Sequence, residues 1–222
     1  MPRQLHNHGT IIPFGVGAAV CLLLISILFW DRALIVSVHN LVSLPQGLLA
    51  LLGILGEPLP YTAVCGLVLL FCVIVYVNTG FSFSEFLIPH RAAYILLAAA
   101  LAWMSAEMLE MVFGRSNPMM YLQNGIYAFR PLTADISFAS FPSEHGAVSA
   151  AASAAFSICI PRYRPTFCLL AALVTASRLL SEVAYLSDIA AGLLLGAVIS
   201  IVLEKMFARL GFPLRTRSQL RT

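Results

Sequence analysis

Apolar runs long enough to cross a hydrocarbon core of about 30 Å recur six times along this chain, at about 11 to 30, 60 to 79, 93 to 113, 144 to 160, 166 to 182 and 188 to 207. A soluble domain of 222 residues has too little interior to hide them: hydrophobic residues make up 60% of the chain, charged residues 10%, and the mean hydropathy is +0.90. The expected fold is all-α and integral to the membrane, six transmembrane helices in a single domain over 1–222. The stretch 33–56 is also apolar, but Asn40, Pro45 and Gln46 interrupt it. It reads as an interfacial or re-entrant helical segment, with a seventh span as the alternative. The first run has 20 apolar positions, too many for a signal h-region, and no small-x-small cleavage site follows Trp30-Asp31-Arg32. It reads as an anchor.

The five cysteines, Cys21, Cys65, Cys72, Cys159 and Cys168, all fall inside predicted spans. They read as small buried apolar residues, without a disulfide or metal framework. The net charge of +3 does not point to nucleic acid, because the basic residues sort by membrane side. Arg3, Arg91, Arg162, Arg164, Lys205, Arg209, Arg215, Arg217 and Arg221 fall on one side, and Arg32, Arg115 and Arg130 on the other. The positive-inside rule puts both termini in the cytoplasm, with a basic tail over 209–222 and the long 114–142 loop outside. In the last run, Gly192 and Gly196 form a Gly-x-x-x-Gly face suited to close helix packing.

A few polar residues at the run ends stand out. Ser143 follows Pro142 and precedes an apolar run, the place of a helix N-cap. A helix N-terminus with free N–H groups is also a seat for phosphate, and His145 lies in its first turn. Arg178 lies near the end of an apolar run, where an ionisable residue is costly and marks a functional candidate. The structural alternative pairs it with Glu182, one turn later. Asp188, after Ser187, opens the last run, where a carboxylate stabilises a helix start.

Ser177-Arg178-Leu179-Leu180-Ser181-Glu182-Val183-Ala184-Tyr185-Leu186-Ser187-Asp188 resembles Ser-Arg-x5-His-x3-Asp, and Phe141-Pro142-Ser143-Glu144-His145 resembles Pro-Ser-Gly-His. These are motifs of the type 2 phosphatidate phosphatase and vanadium haloperoxidase superfamily, and the resemblance covers about 90–200. It implies that Ser143, Ser177 and Arg178 hold phosphate, that His145 protonates the leaving alcohol, and that Asp188 orients a nucleophilic histidine four residues earlier. Ala184 stands at that nucleophile's place. A first motif, Lys-x6-Arg-Pro, anchors on Pro118, which puts Asn117 at the arginine position and Glu110 at the lysine position, with Arg115 as a partial substitute.

The departures from the motifs share a sign. Glu110 replaces lysine, Glu144 replaces glycine, and Glu182 adds a third acid. These acids, with Glu107, either pair with Arg115, Arg130 and Arg178 as a buried ion network or gather with His145 as ligands for a divalent cation; no ligand spacing demands a metal, and neither metal nor cofactor is expected. The expected location is a bacterial cytoplasmic membrane, and the distribution of Arg and Lys puts the head-group site on its outer face. Candidate ligands implied by the resemblance are phosphatidate, phosphatidylglycerol phosphate, polyprenyl pyrophosphate and a lipid A phosphate, with a membrane protein as a further partner. Turnover through a phosphohistidine is expected to be absent. The alternatives are an active phosphatase, with Ala184 an engineered change or another residue in use, and a site rebuilt around carboxylates for different lipid chemistry.

Overall fold

The computed structural model describes residues 21–41, 45–79, 87–212 and 214. They form eight helices: α1 (Cys21–Leu41), α2 (Gln46–Ile54), α3 (Pro58–Thr79), α4 (Leu87–Phe113), α5 (Pro118–Asn124), α6 (Glu144–Cys159), α7 (Arg164–Leu180) and α8 (Leu186–Arg209). Extended pairing among the described residues is limited to one isolated bridge, Arg115 with Phe129.

Helix α6 is the centre of the bundle, with twelve of its sixteen residues buried. Ala147, Ala151 and Ala155 recur every fourth residue along it, and Ala98, Ala102 and Ala106 do the same along α4; all six belong to one core cluster. Stripes of small side chains let helix backbones approach closely, which is what drives association where lipid is as apolar as the core. Helix α8 takes the approach furthest. A Cβ on Gly192 would stand 2.3 Å from the Ser143 carbonyl oxygen, and one on Gly196 2.0 Å from that of Ala147. The Gly-x-x-x-Gly face therefore carries the α6–α8 contact. Helix α3 has the opposite character: Leu59, Val64, Leu67, Phe71, Val73 and Val77 are all exposed, an apolar surface fit for lipid.

Four helices, Cys21–Leu41, Pro58–Asn78, Ile88–Phe113 and Leu186–Arg209, are long and apolar enough to cross a membrane. The runs expected at 144–160 and 166–182 form helices of 16 and 17 residues, about 24 and 26 Å long at 1.5 Å per residue. The first of them is sheathed by its neighbours, so its length answers to packing more than to bilayer thickness. The expected boundary near residue 30 needs correction. Helix α1 runs through it to Leu41 by way of a π-helical stretch at Ser26–Trp30, and residues 11–20 lie outside those described. The expected single segment 33–56 divides accordingly, its first part completing α1 and its second forming α2. Of the basic tail, 209–212 and 214 are described and the remainder is not.

The 114–142 connection is folded tightly on itself. Gly114 has φ 58°, and a Cβ there would lie 1.7 Å from the Arg130 carbonyl oxygen, so only glycine closes this turn. Asn117 caps α5 through the Met120 N–H at 2.9 Å, and Gly125 ends that helix in the left-handed region.

Candidate functional site

At one end of the bundle a cavity of about 320 Å³ is lined by Glu110, Asn117, Ser140, Ser143, Glu144, His145, Arg178 and Ala184, among others. Three loci distant in sequence meet there: the end of α4, the start of α6 and the end of α7. Ser143 is the N-cap of α6, its Oγ accepting the Gly146 N–H at 3.2 Å while its own N–H donates to the Asp188 carbonyl at 2.9 Å. The start of α6 is thus tied to the start of α8, the pairing that Gly192 permits.

Arg178 reaches the cavity from the last turn of α7 and has no ion-pair partner among the described residues. The expected i,i+4 pair with Glu182 does not form. Glu182 lies past the helix end with φ 58°, an uncommon conformation for a residue with a side chain, and its carboxylate meets His39 Nδ1 at 2.9 Å. Glu110 is nine-tenths buried on the opposite wall, where its carboxylate accepts the backbone N–H of Glu144. An acid of the chain itself therefore occupies part of the helix N-terminus that the motif resemblance reserves for phosphate. Ala184 contributes a methyl group to the cavity wall and no lone pair.

Four of the expected site residues lie elsewhere. Ser177 is buried within α7 and donates to the Val174 carbonyl at 2.7 Å. Glu182 is at the His39 contact. Arg115 and Asp188 are buried beneath the cavity, bonded to each other. The Arg115 guanidinium also donates to Asp31 at 2.8 Å, to Ser187 Oγ at 2.7 Å and to the Tyr127 hydroxyl, and stacks 4.4 Å above the Tyr185 ring. Burial works against the charge on Arg115, but Asp188 and then Asp31 outweigh it and raise its pKa above the ordinary value. With its two NH₂ groups engaged this way, and only the buried Nε–H left without a partner, Arg115 does not stand in for the missing cradle cations. The alternative network of Glu107, Glu110, Glu144 and Glu182 with Arg115, Arg130 and Arg178 does not form among the described residues, where Arg115 pairs with Asp31 and Asp188 instead.

Asp188 retains the surroundings of an orienting carboxylate but not its object. Its oxygens accept from Arg115, from Ser140 Oγ at 2.6 Å and from the Tyr185 N–H at 2.9 Å. Two residues here are not singled out by the sequence. Asp31 had a visible signal, a carboxylate next to an apolar run. Glu57 had none, since it sits in a turn between Gly56 and Pro58, yet its carboxylate lies 2.8 Å from His145 Nε2.

Ser143, His145 and Arg178 thus share one polar cavity at one end of a bundle that includes helices apolar and long enough to cross a membrane. The chain belongs to the PAP2 superfamily, whose sequence model matches residues 91–211. It is similar to the lipid A 1-phosphatase of Rhizobium johnstonii, 34% identical over 119 residues that cover 54% of this chain and 49% of that protein. The corresponding protein of Rhizobium etli is 32% identical over 119 residues, covering 54% and 51%. The chain thus spans about half the length of the curated relatives it matches. A similar fold occurs in the crystal structure of a transmembrane PAP2-type phosphatidylglycerolphosphate phosphatase from Bacillus subtilis, with a TM-score of 0.57 and 16% identity, covering 86% of this chain and 95% of that one.

Proposed function

We propose that this protein holds the phosphate head group of a membrane lipid in the α4–α6–α7 cavity without turning it over through a phosphohistidine. The observation that carries the reading is the pair of Arg178 and Ala184 on the same cavity wall. The guanidinium, without an ion-pair partner among the described residues, presents a planar fork matched to phosphate oxygens, while the position that would supply the nucleophile is a methyl group. The engagement of both Asp188 oxygens by Arg115, Ser140 and Tyr185 supports the same reading, because the carboxylate serves as a brace for the loops. The similarity to lipid A 1-phosphatases supports a lipid A phosphate among the candidate ligands, beside phosphatidate and polyprenyl pyrophosphate. The site is read as facing away from the cytoplasm, with six spans and cytoplasmic termini, on the distribution of Arg and Lys among the loops.

The test uses purified full-length protein in detergent micelles. Phosphatidate and polyprenyl pyrophosphate are expected to bind saturably, Arg178→Met to weaken binding about tenfold or more, and phosphate release to stay at background. Release above background that His145→Ala abolishes would overturn the reading in favour of an enzyme with another nucleophile or base.

A further inference from the structure

The cavity is crowded with carboxylates. Glu57, Glu144 and His145 each offer one ligand atom, and the three atoms lie within 4.8 Å of one another. His145 Nε2 is 2.8 Å from Glu57 Oε1, and its Nδ1 is 3.5 Å from Glu144 Oε1. Only one of the two ring nitrogens can serve a given cation, and ligand atoms sharing one metal at bond lengths of about 2.1 Å stand about 3 to 3.5 Å apart, so side-chain adjustments of about an ångström would close the set from 4.8 Å.

Glu110 supplies an independent observation. It is nine-tenths buried on the same cavity, accepts one backbone N–H, and has no cationic side chain at ion-pair distance among the described residues. Three carboxylates, Glu57, Glu110 and Glu144, therefore surround a region to which the described residues bring a single guanidinium, Arg178. Carboxylates that face one another in a half-buried site make each other's ionisation costly, and a divalent cation placed among them relieves that cost.

We propose that Glu57, Glu144 and His145 form a binding site for a divalent transition-metal cation, with Glu110 contributing its charge from the facing wall. Two carboxylates and one imidazole suit Mn²⁺ or Zn²⁺. The cation restores positive charge beside a wall where Glu110 and Asn117 stand in the family's lysine and arginine positions. With only three protein ligands, such a cation would have positions left for phosphate oxygens, and its charge would add to that of Arg178 in holding them. This role in lipid binding rests on the head-group reading above; the binding of the cation itself does not.

The experiment titrates EDTA-stripped full-length protein in micelles with Mn²⁺ alone, read by the loss of the free-ion EPR signal. One saturable site per chain is expected, weakened tenfold or more in Glu57→Gln and in Glu144→Gln and unchanged in Glu204→Gln, an acid near the opposite end of α8. Glutamine keeps the shape of both side chains, and the Glu57 side chain is 42% exposed, so folding should survive; a thermal melt verifies it and should show Mn²⁺ raising the Tm of the parent protein alone. Absence of saturable binding, or equal binding in the parent and both variants, overturns the proposal. A second arm measures phosphatidate binding with and without Mn²⁺, and tighter binding with the metal is expected. Lipid binding without any Mn²⁺ site would sink the cation inference and leave the head-group reading standing. A Mn²⁺ site with no lipid binding would do the reverse.

Discussion

Arg115 donates to the carboxylate of Asp188 with at most 1% of either side chain exposed, and Asp31 accepts from the same guanidinium on its other side. The result is a buried Asp–Arg–Asp brace joining α1, the loop after α4 and the first turn of α8. Asp31 extends the tie by accepting the Ser187 N–H at 3.1 Å and the Ser187 hydroxyl. Removing one member of such a group leaves a buried charge without its partner, which costs about 3 to 5 kcal/mol. Arg115→Met should therefore lower stability by that order, measured as the Tm and denaturant midpoint in micelles. An unchanged melt would mean that water reaches the two carboxylates.

The same brace decides how readily catalysis can be rebuilt. Ala184→His places an imidazole near Asp188, whose oxygens are already engaged, and leaves Glu110 on the helix N-terminus. Weak phosphate release is the expected outcome of that single change. Adding Glu110→Lys and Glu144→Gly should raise it more than additively, because the three groups act on one transition state. If the triple variant folds and stays silent, the geometry of the site has diverged beyond repair by charge alone.

Helix packing makes a sharper stability test. Gly196→Val forces side-chain carbons against the Ala147 carbonyl, where even a Cβ would stand 2.0 Å away, and should cost about 2 kcal/mol or more or abolish folding. At Gly66 an added Cβ would meet nothing within 4 Å, and Gly66→Ala should be neutral or slightly stabilising. Equal melts for the two variants would show that α6 and α8 separate more easily than their contact implies.

Orientation can be read from a single cysteine at the exposed Gln123, in a background where the native cysteines are replaced. Labelling by a membrane-impermeant maleimide in intact cells is expected. Labelling only after permeabilisation would invert the topology.

The helical membrane class was legible in the sequence because apolar run length and the scarcity of charge are local properties that the bilayer converts directly into helices. The Gly192 and Gly196 face was legible for the same reason, since spacing on one helix is enough to show it. Ser143, His145, Arg178 and Ala184 could be grouped by motif resemblance before any coordinates, and the cavity does bring them together.

Partner choice was not legible. Arg115 stood near the site in sequence, but the fold of the 114–142 loop buries it under the site, where two carboxylates hold it. Glu182 seemed one turn from Arg178, yet the chain leaves the helix at Ser181 and hands that acid to His39. Glu57 lies 88 positions from His145 and belongs beside it only because Gly56 lets the turn press against the imidazole, a Cβ there standing 2.9 Å from His145 Cδ2. Run length and spacing act within one segment and so determined the helices; the pairing of buried charges depends on which segments the tertiary structure brings within a few ångströms, where electrostatics is strong enough to choose.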